Sequence, residues 1–329
     1  LVGERAALQP GLLTAVSQLA ADTGATIGWV PRRAGERGAV EAGLLPSLLP
    51  GGRPVADAAG RVDAAAVWGV PGLSETSGLD LPQMLSSAVA GDLTALVFAG
   101  ADPADLPGNA LAAAQRAAFV LALDTRNHEI VERADVVLPV AAAPEKSGAF
   151  VNWEGRLRPF DQAIRPSSLM SDARVLRALA RELDVDLGLG DVAAARAQLD
   201  EFSGWQGARV KLQGEASASA SAPQRRAAGK GDFVLSTWRP LLDHGSLQQG
   251  EPYLAATARG AQIQLSASDA ASIGCATGEH LTVSSEHASV VAEVAITDVH
   301  DGAVVVTGGG AAALGNSGEL VTLAKGGAA

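Results

Sequence analysis

Residues 134–158 read ADVVLPVAAAPEKSGAFVNWEGRLR, and this stretch decides the fold class. An apolar run, Val136–Leu138, stops at Pro139. It gives way to a polar segment in which Glu145, Gly148, Asn152, Glu154, Gly155 and Arg156 lie among small residues. A short β-branched run bounded by Pro reads as a strand buried on both faces, as in a parallel sheet. The segment after it reads as a long structured loop at the carboxyl edge of that sheet. Open α/β sheets bind ligands or partners at that edge.

Working outward, the same alternation recurs. Strands are expected at Ala25–Val30, Ala64–Val70, Thr94–Ala99, Phe119–Leu123 and Asp135–Val140. Helices are expected at Gln9–Gly24, where Gly24 suits the C-cap, at Leu106–Ala118 as a crossover, and at Asp172–Leu183 behind Ser171 or Asp172. Strands alternating with helices predict a mostly parallel, doubly wound α/β sheet. Residues 1–212 are assigned to this domain.

Gln213–Gly231 is built of small and polar residues without periodicity and reads as a linker. From 232 to 329 the chain turns β-rich. Short Val-rich runs at 232–236, 261–265, 280–284, 289–296 and 303–307 are spaced by Gly, Asp and Ser, which predicts a small barrel.

Composition excludes several functions. The 329 residues are 47% hydrophobic and carry a net charge of −11. That balance disfavours nucleic acid and anionic membrane surfaces, both of which need a basic face. No apolar run approaches the roughly 20 residues that span a bilayer, so no membrane insertion is expected. The chain begins without Met or a signal pattern, which reads as a start inside a longer polypeptide. The one cysteine, Cys275, can form neither an internal disulfide nor the usual four-thiolate iron–sulfur site. It is expected to be a buried, inert side chain.

A Gly-x-Gly-x-x-Gly turn between strand and helix is missing, as is a Walker loop. The five histidines, at 128, 244, 280, 287 and 300, show no zinc-ligand spacing. His128 is expected at the surface or in a capping role. No catalytic residue and no metal ligand is assigned.

The wording of residues 134–158 resembles the molybdopterin oxidoreductase superfamily, which carries an "ADVVLP…E…G.F.N.EGR" stretch. Together with WVPRRAGERGAVEAG from Trp29, VWGVPGL from Val67 and FVNWEGRLRPF from Phe150, it is most similar to the large peripheral-arm subunits of bacterial NADH:quinone oxidoreductase, respiratory complex I. DAASIGCATGEHLTVSS, residues 269–285, resembles the superfamily's molybdopterin-dinucleotide-binding domain, a double-psi β-barrel. There Asp269 would cap a short helix and Gly278–Glu279 would turn into the next strand.

The resemblance implies a scaffold portion of a redox subunit, with no redox centre in this segment. The [4Fe–4S] and [2Fe–2S] clusters would lie in a preceding N-terminal part. The partners would be flavin-bearing and iron–sulfur subunits of the peripheral arm, on the cytoplasmic side of the plasma membrane. The alternative is a piece of an active molybdenum enzyme of the formate dehydrogenase or nitrate reductase type. Cofactor-bearing relatives read G-x-N-P in the loop after the strand Thr94–Ala99, whereas this chain has Gly100-Ala101-Asp102-Pro103. A carboxylate near a pyrophosphate is repelled by about 1 kcal/mol at 4 Å in high dielectric. Asp102, Asp124, Glu145, Asn152 and Arg156 are therefore read as candidates for a vestigial cleft, bonded among themselves rather than to a cofactor. Thr125, Arg126, Arg32, Arg33 and Lys146 lie at the same strand ends.

Overall fold

The structure, a computed structural model, describes all residues except 4–10, 32–33, 107–108, 166–167, 211–230, 239–241, 243–244, 287, 309, 316 and 326–329. The expected linker falls on these residues, apart from Gly231. The chain divides into two units, residues 28–211 and residues 1–27 with 212–329. Helix α1 (Leu12–Thr23), in the second of these units, ends on Gly24 in the left-handed conformation at φ 67°, whose N–H bonds Ala20 O.

In the 28–211 unit, α2 spans Glu36–Glu41, α3 Ala58–Trp68 and α4 Leu81–Ala90. Then follow β1 (Ala95–Ala99), α5 (Ala110–Arg116), β2 (Phe119–Asp124), α6 (Glu129–Arg133) and β3 (Val136–Pro139). The unit closes with β4 (Gly148–Val151), β5 (Leu157–Phe160), α7 (Asp172–Glu182) and α8 (Val192–Glu201). The strands β1-β2-β3 form a three-stranded parallel sheet in that order, with Val97 opposite Leu121 and Leu121 opposite Val136.

Side-chain parity explains the continuous apolar runs. Leu96, Phe98 and Val120 point to one face and pack with Leu85 and Ala88 of α4, Ala113 and Ala114 of α5, and Ile130 of α6. Leu121, Leu123 and Leu138 point to the other face and pack with Val175 and Leu179 of α7. Each strand is thus apolar on both sides.

Two strand expectations are corrected. Of Ala64–Val70, residues 64–68 are the end of helix α3, not a strand. Asp57 caps it by accepting the Gly60 N–H at 2.7 Å, and Gly69 closes it at φ 65°. A seven-residue apolar run has no readable period of its own, so the flanking caps and the Ala content decide for helix. Ala25–Val30 shortens to Trp29–Val30. Helices α4 and α8 lie in stretches where the sequence had suggested no element.

The motif after β3 is also more than a loop. It is a 3₁₀ turn (Ala143–Glu145) followed by the antiparallel hairpin β4–β5, with Gly148 opposite Phe160. Gly148 is required by close approach: a Cβ there would lie 2.6 Å from the Phe160 ring. That ring stacks on Phe150 at 5.3 Å between centroids.

The barrel comprises β6 (Asp232–Trp238), β7 (Gln262–Leu265), helix α9 (Ala267–Ile273), β8 (His280–Ser284), β9 (Ser289–Ile296), β10 (Ala303–Thr307) and β11 (Leu320–Lys325). Its strands close in the order β6-β10-β7-β9-β8-β11. β6 with β10 and β7 with β9 run parallel, and the other pairs are antiparallel. Alternation fills the interior: Leu235, Ile263, Leu265, Leu281, Val283, Val294, Val304 and Val306 are all at most 1% exposed.

In this barrel Ser266, not Asp269, caps α9, accepting the Asp269 N–H at 3.0 Å. Asp269 Oδ2 instead accepts the Gly302 N–H at 2.8 Å and ties the helix to the turn before β10. Cys275 is half-buried rather than buried, packed at the margin of the barrel core. Burial and then the Glu279 carboxylate push its thiol up from the ordinary value of 9.0, against a lowering by Lys325. A raised pKa leaves less thiolate at neutral pH, so alkylation by iodoacetamide at pH 7.5 should lag a free cysteine peptide and rise only at higher pH.

Candidate functional site

The carboxyl edge of β1-β2-β3 gathers two of the sequence-nominated residues through a third. Gly100, at φ 61°, extends the ladder by donating its N–H to Leu123 O at 2.8 Å. The chain then turns so that Asp102 Oδ1 accepts the Ala104 N–H at 2.9 Å, beginning a 3₁₀ turn at Pro103. Asp102 is 6% exposed. Its other oxygen, Oδ2, lies 3.9 Å from Arg126 Nη2, on the loop after β2.

Asp124 ends β2 and organises that loop. Its Oδ1 accepts the N–H groups of Thr125 at 2.7 Å and Arg126 at 3.2 Å, and its Oδ2 lies 3.2 Å from His128 Nε2. His128, expected at the surface, is buried. It stands at the N-cap of α6, yet its ring makes no cap bond and turns to Asp124. With Nε2 as donor to the carboxylate, Nδ1 is left as the acceptor, and it has no partner among the described residues. The sequence carried a signal for this pair, an Asp and a His four residues apart, but gave no sign that the ring would be buried.

Glu145, Asn152 and Arg156 serve the loop and hairpin. Glu145 Oε2 accepts the Ala142 N–H at 2.9 Å and closes the 3₁₀ turn. Lys146, next to it, pairs with Asp172 at the start of α7. Asn152 Oδ1 accepts the Arg156 N–H at 2.8 Å while its Nδ2 donates to Glu154 Oε2 at 3.2 Å. Arg156 Nε approaches the same carboxylate at 3.3 Å, and Gly155 takes φ 82° at the tip. The structure brings Asp102 and Asp124 to one edge and leaves Asn152 and Arg156 at the hairpin tip. Arg32 and Arg33 lie outside the described residues. Among the described residues, no group of three or more His, Cys, Asp or Glu is placed to hold a metal ion.

Residues 5–182 match the molybdopterin oxidoreductase family, more than half of the chain. The chain belongs to that family. Residues 233–326 match the molydopterin dinucleotide binding domain. Over 306 residues, 92% of its length, the chain is 47% identical to the G subunit of NADH-quinone oxidoreductase from Mycobacterium tuberculosis, and spans 37% of that relative's length. Over 148 residues, 44% of the chain and 20% of the relative, it is 34% identical to a nitrate reductase of Symbiobacterium thermophilum. Acetylene hydratase from Pelobacter acetylenicus superposes with a TM-score of 0.47 at 15% identity, covering 75% of this chain and 42% of that one.

In this molybdopterin oxidoreductase family member the strand-end loops are organised by their own carboxylates. Asp124→Ala removes an acceptor that takes three hydrogen bonds and leaves the N–H of Thr125 without its partner. The expected cost is about 2 kcal/mol, read as a lower denaturant midpoint with unchanged slope. Asp124→Asn, which keeps an acceptor oxygen, should lose less.

Proposed function

We propose that the chain is the scaffold portion of the iron–sulfur large subunit of NADH:quinone oxidoreductase, working beside electron carriers held elsewhere in the longer polypeptide. The observation that carries this is the 47% identity over 92% of the chain to the mycobacterial NADH-quinone oxidoreductase relative. The nitrate reductase relative aligns over less than half of the chain, which gives the molybdenum-enzyme reading weaker support. On the same reading the three parallel strands belong to a wider doubly wound sheet, and the closed barrel has double-psi connectivity.

The strand-end chemistry supports a scaffold role. A molybdopterin dinucleotide brings a pyrophosphate, which asks for cations and free N–H donors. Here Asp102 and Asp124 place two carboxylates at the strand ends, Arg126 lies against Asp102, and the N–H groups of Ala104, Thr125 and Arg126 are taken by carboxylate oxygens. Among the described residues this donor set does not fit a dinucleotide. No step of a reaction is assigned to these side chains. Their role is to hold the loops over the sheet and so present a rigid surface to neighbours.

The partners are then the flavin-bearing and iron–sulfur subunits of the peripheral arm, and the location is peripheral, on the cytoplasmic side of the plasma membrane. No described helix is long and apolar enough to cross a membrane. Elemental analysis of the full-length polypeptide tests the reading. Iron in cluster amounts without stoichiometric molybdenum is the expected result. One molybdenum per chain would overturn it.

A further inference from the structure

We infer that hairpin β4–β5 and helix α7 form a docking surface for an acidic protein partner. The inference rests on the proposed place in a multisubunit oxidoreductase. Between residue 146 and the end of α7 at 182, seven basic side chains stand against four acidic ones, a local net charge of +3 in a chain whose total is −11. The two elements start from one junction. Lys146, before β4, pairs with Asp172 at the first turn of α7, while the N–H groups of Ala163 and Ile164 donate to Pro144 O and close the base of the hairpin segment.

Arg174, Arg177 and Arg181 follow at i, i+3 and i+7, one face of α7, while Val175 and Leu179 face the core. Arg174 and Arg181 are exposed and, like Arg158 on β5, have no ion-pair partner among the described residues. Phe150 and Trp153 on the hairpin are both 45% exposed, and Arg158 lies opposite Phe150 on the same face of the ribbon. Arg with exposed aromatic side chains is the composition of protein–protein interface centres.

Charge complementarity selects the occupant. A nucleic acid or an anionic membrane would meet the repulsion of the whole acidic chain beyond this patch. An acidic protein surface of limited extent would meet only the patch, at contact distances shorter than the roughly 8 Å over which physiological salt screens.

The test uses the assembled oxidoreductase. Arg158→Glu, Arg174→Glu and Arg181→Glu together should weaken retention of neighbouring subunits about tenfold or more at low salt. The matching Arg→Lys triple variant should retain them, and circular dichroism of both should match the parent. A photo-crosslinker at position 153 should attach to an acid-rich segment of a neighbouring subunit. Undiminished retention of the charge-reversed variant in the assembly, or crosslinking only to lipid or nucleic acid, overturns the inference and leaves the proposed function standing. If the parent chain co-purifies with no subunit of an NADH:quinone oxidoreductase, the proposed function fails, and the docking surface fails with it.

Discussion

Arg53→Ala is expected to lower the stability of the 28–211 unit by about 3 kcal/mol, through loss of packing and two stranded carbonyls. The guanidinium is 2% exposed and lies over the rings of Phe202 and Trp205, at 5.1 and 4.9 Å from their centroids. Its Nη1 donates to Pro50 O at 2.8 Å and Phe202 O at 2.9 Å, and its Nε to Asp63 Oδ2 at 2.6 Å. One side chain therefore joins the turn at residues 50–52 to the end of α8, about 150 residues later in the chain. Alanine would leave both carbonyls facing a void, because the Cβ cannot reach them. For a unit of this size the melting temperature should fall by about 6–12 °C in calorimetry. Arg53→Lys should fall nearly as far, since an ammonium cannot stack flat between two rings while bonding three acceptors. Asp63→Asn should cost far less, because that carboxylate is 44% exposed and water replaces the lost charge. A drop under 1 °C for Arg53→Ala would show that the clamp contributes nothing to stability.

The second large effect lies in the barrel. Leu281 is fully buried and packs within a cluster contributed by all six barrel strands. Leu281→Ala is expected to cost about 3–4 kcal/mol, the transfer term for the lost methyl and methylene groups plus the cavity left behind. A closed barrel collapses poorly onto a void, because its radius is fixed by the ladders on both sides of every strand. For a barrel of about 100 residues that is a fall on the order of 15 °C in the transition that reports on residues 232–325. Hydrogen exchange would show it as lost protection in β8, β9 and β11 together. Val62→Ala serves as the control: that side chain is 71% exposed, and its loss should stay within about 0.5 kcal/mol.

Asp124 shows how far the candidate site could be read in advance. Its place at the end of a sheet strand follows from the apolar run Phe119–Leu123 and the polar residues after it. Its three hydrogen bonds do not follow. They depend on the loop folding back so that two consecutive N–H groups and a histidine ring converge on one carboxylate. Asn152 and Glu154 were legible for the opposite reason, since their partners lie within four residues and a tight hairpin leaves few alternatives.

Arg53 marks the other extreme. Nothing near residue 53 announces that an arginine will be buried, because its rings and one carbonyl come from residues 202–205. Ala64–Val70 failed as a strand because a short apolar run, three of whose seven residues are Ala, satisfies a helix face and a strand equally well.

By itself the sequence determined the three strands of the parallel sheet, the capping glycine of α1, the inward alternation along β8–β10 and the family. These rest on local periodicity, on glycine's freedom at positive φ and on the length of one motif. Only the tertiary structure decided which helix covers which face of the sheet, that His128 is buried, that Arg53 clamps two distant segments, and that β11 closes the barrel. Each of those depends on groups meeting across long chain separations, where no local spacing carries the information.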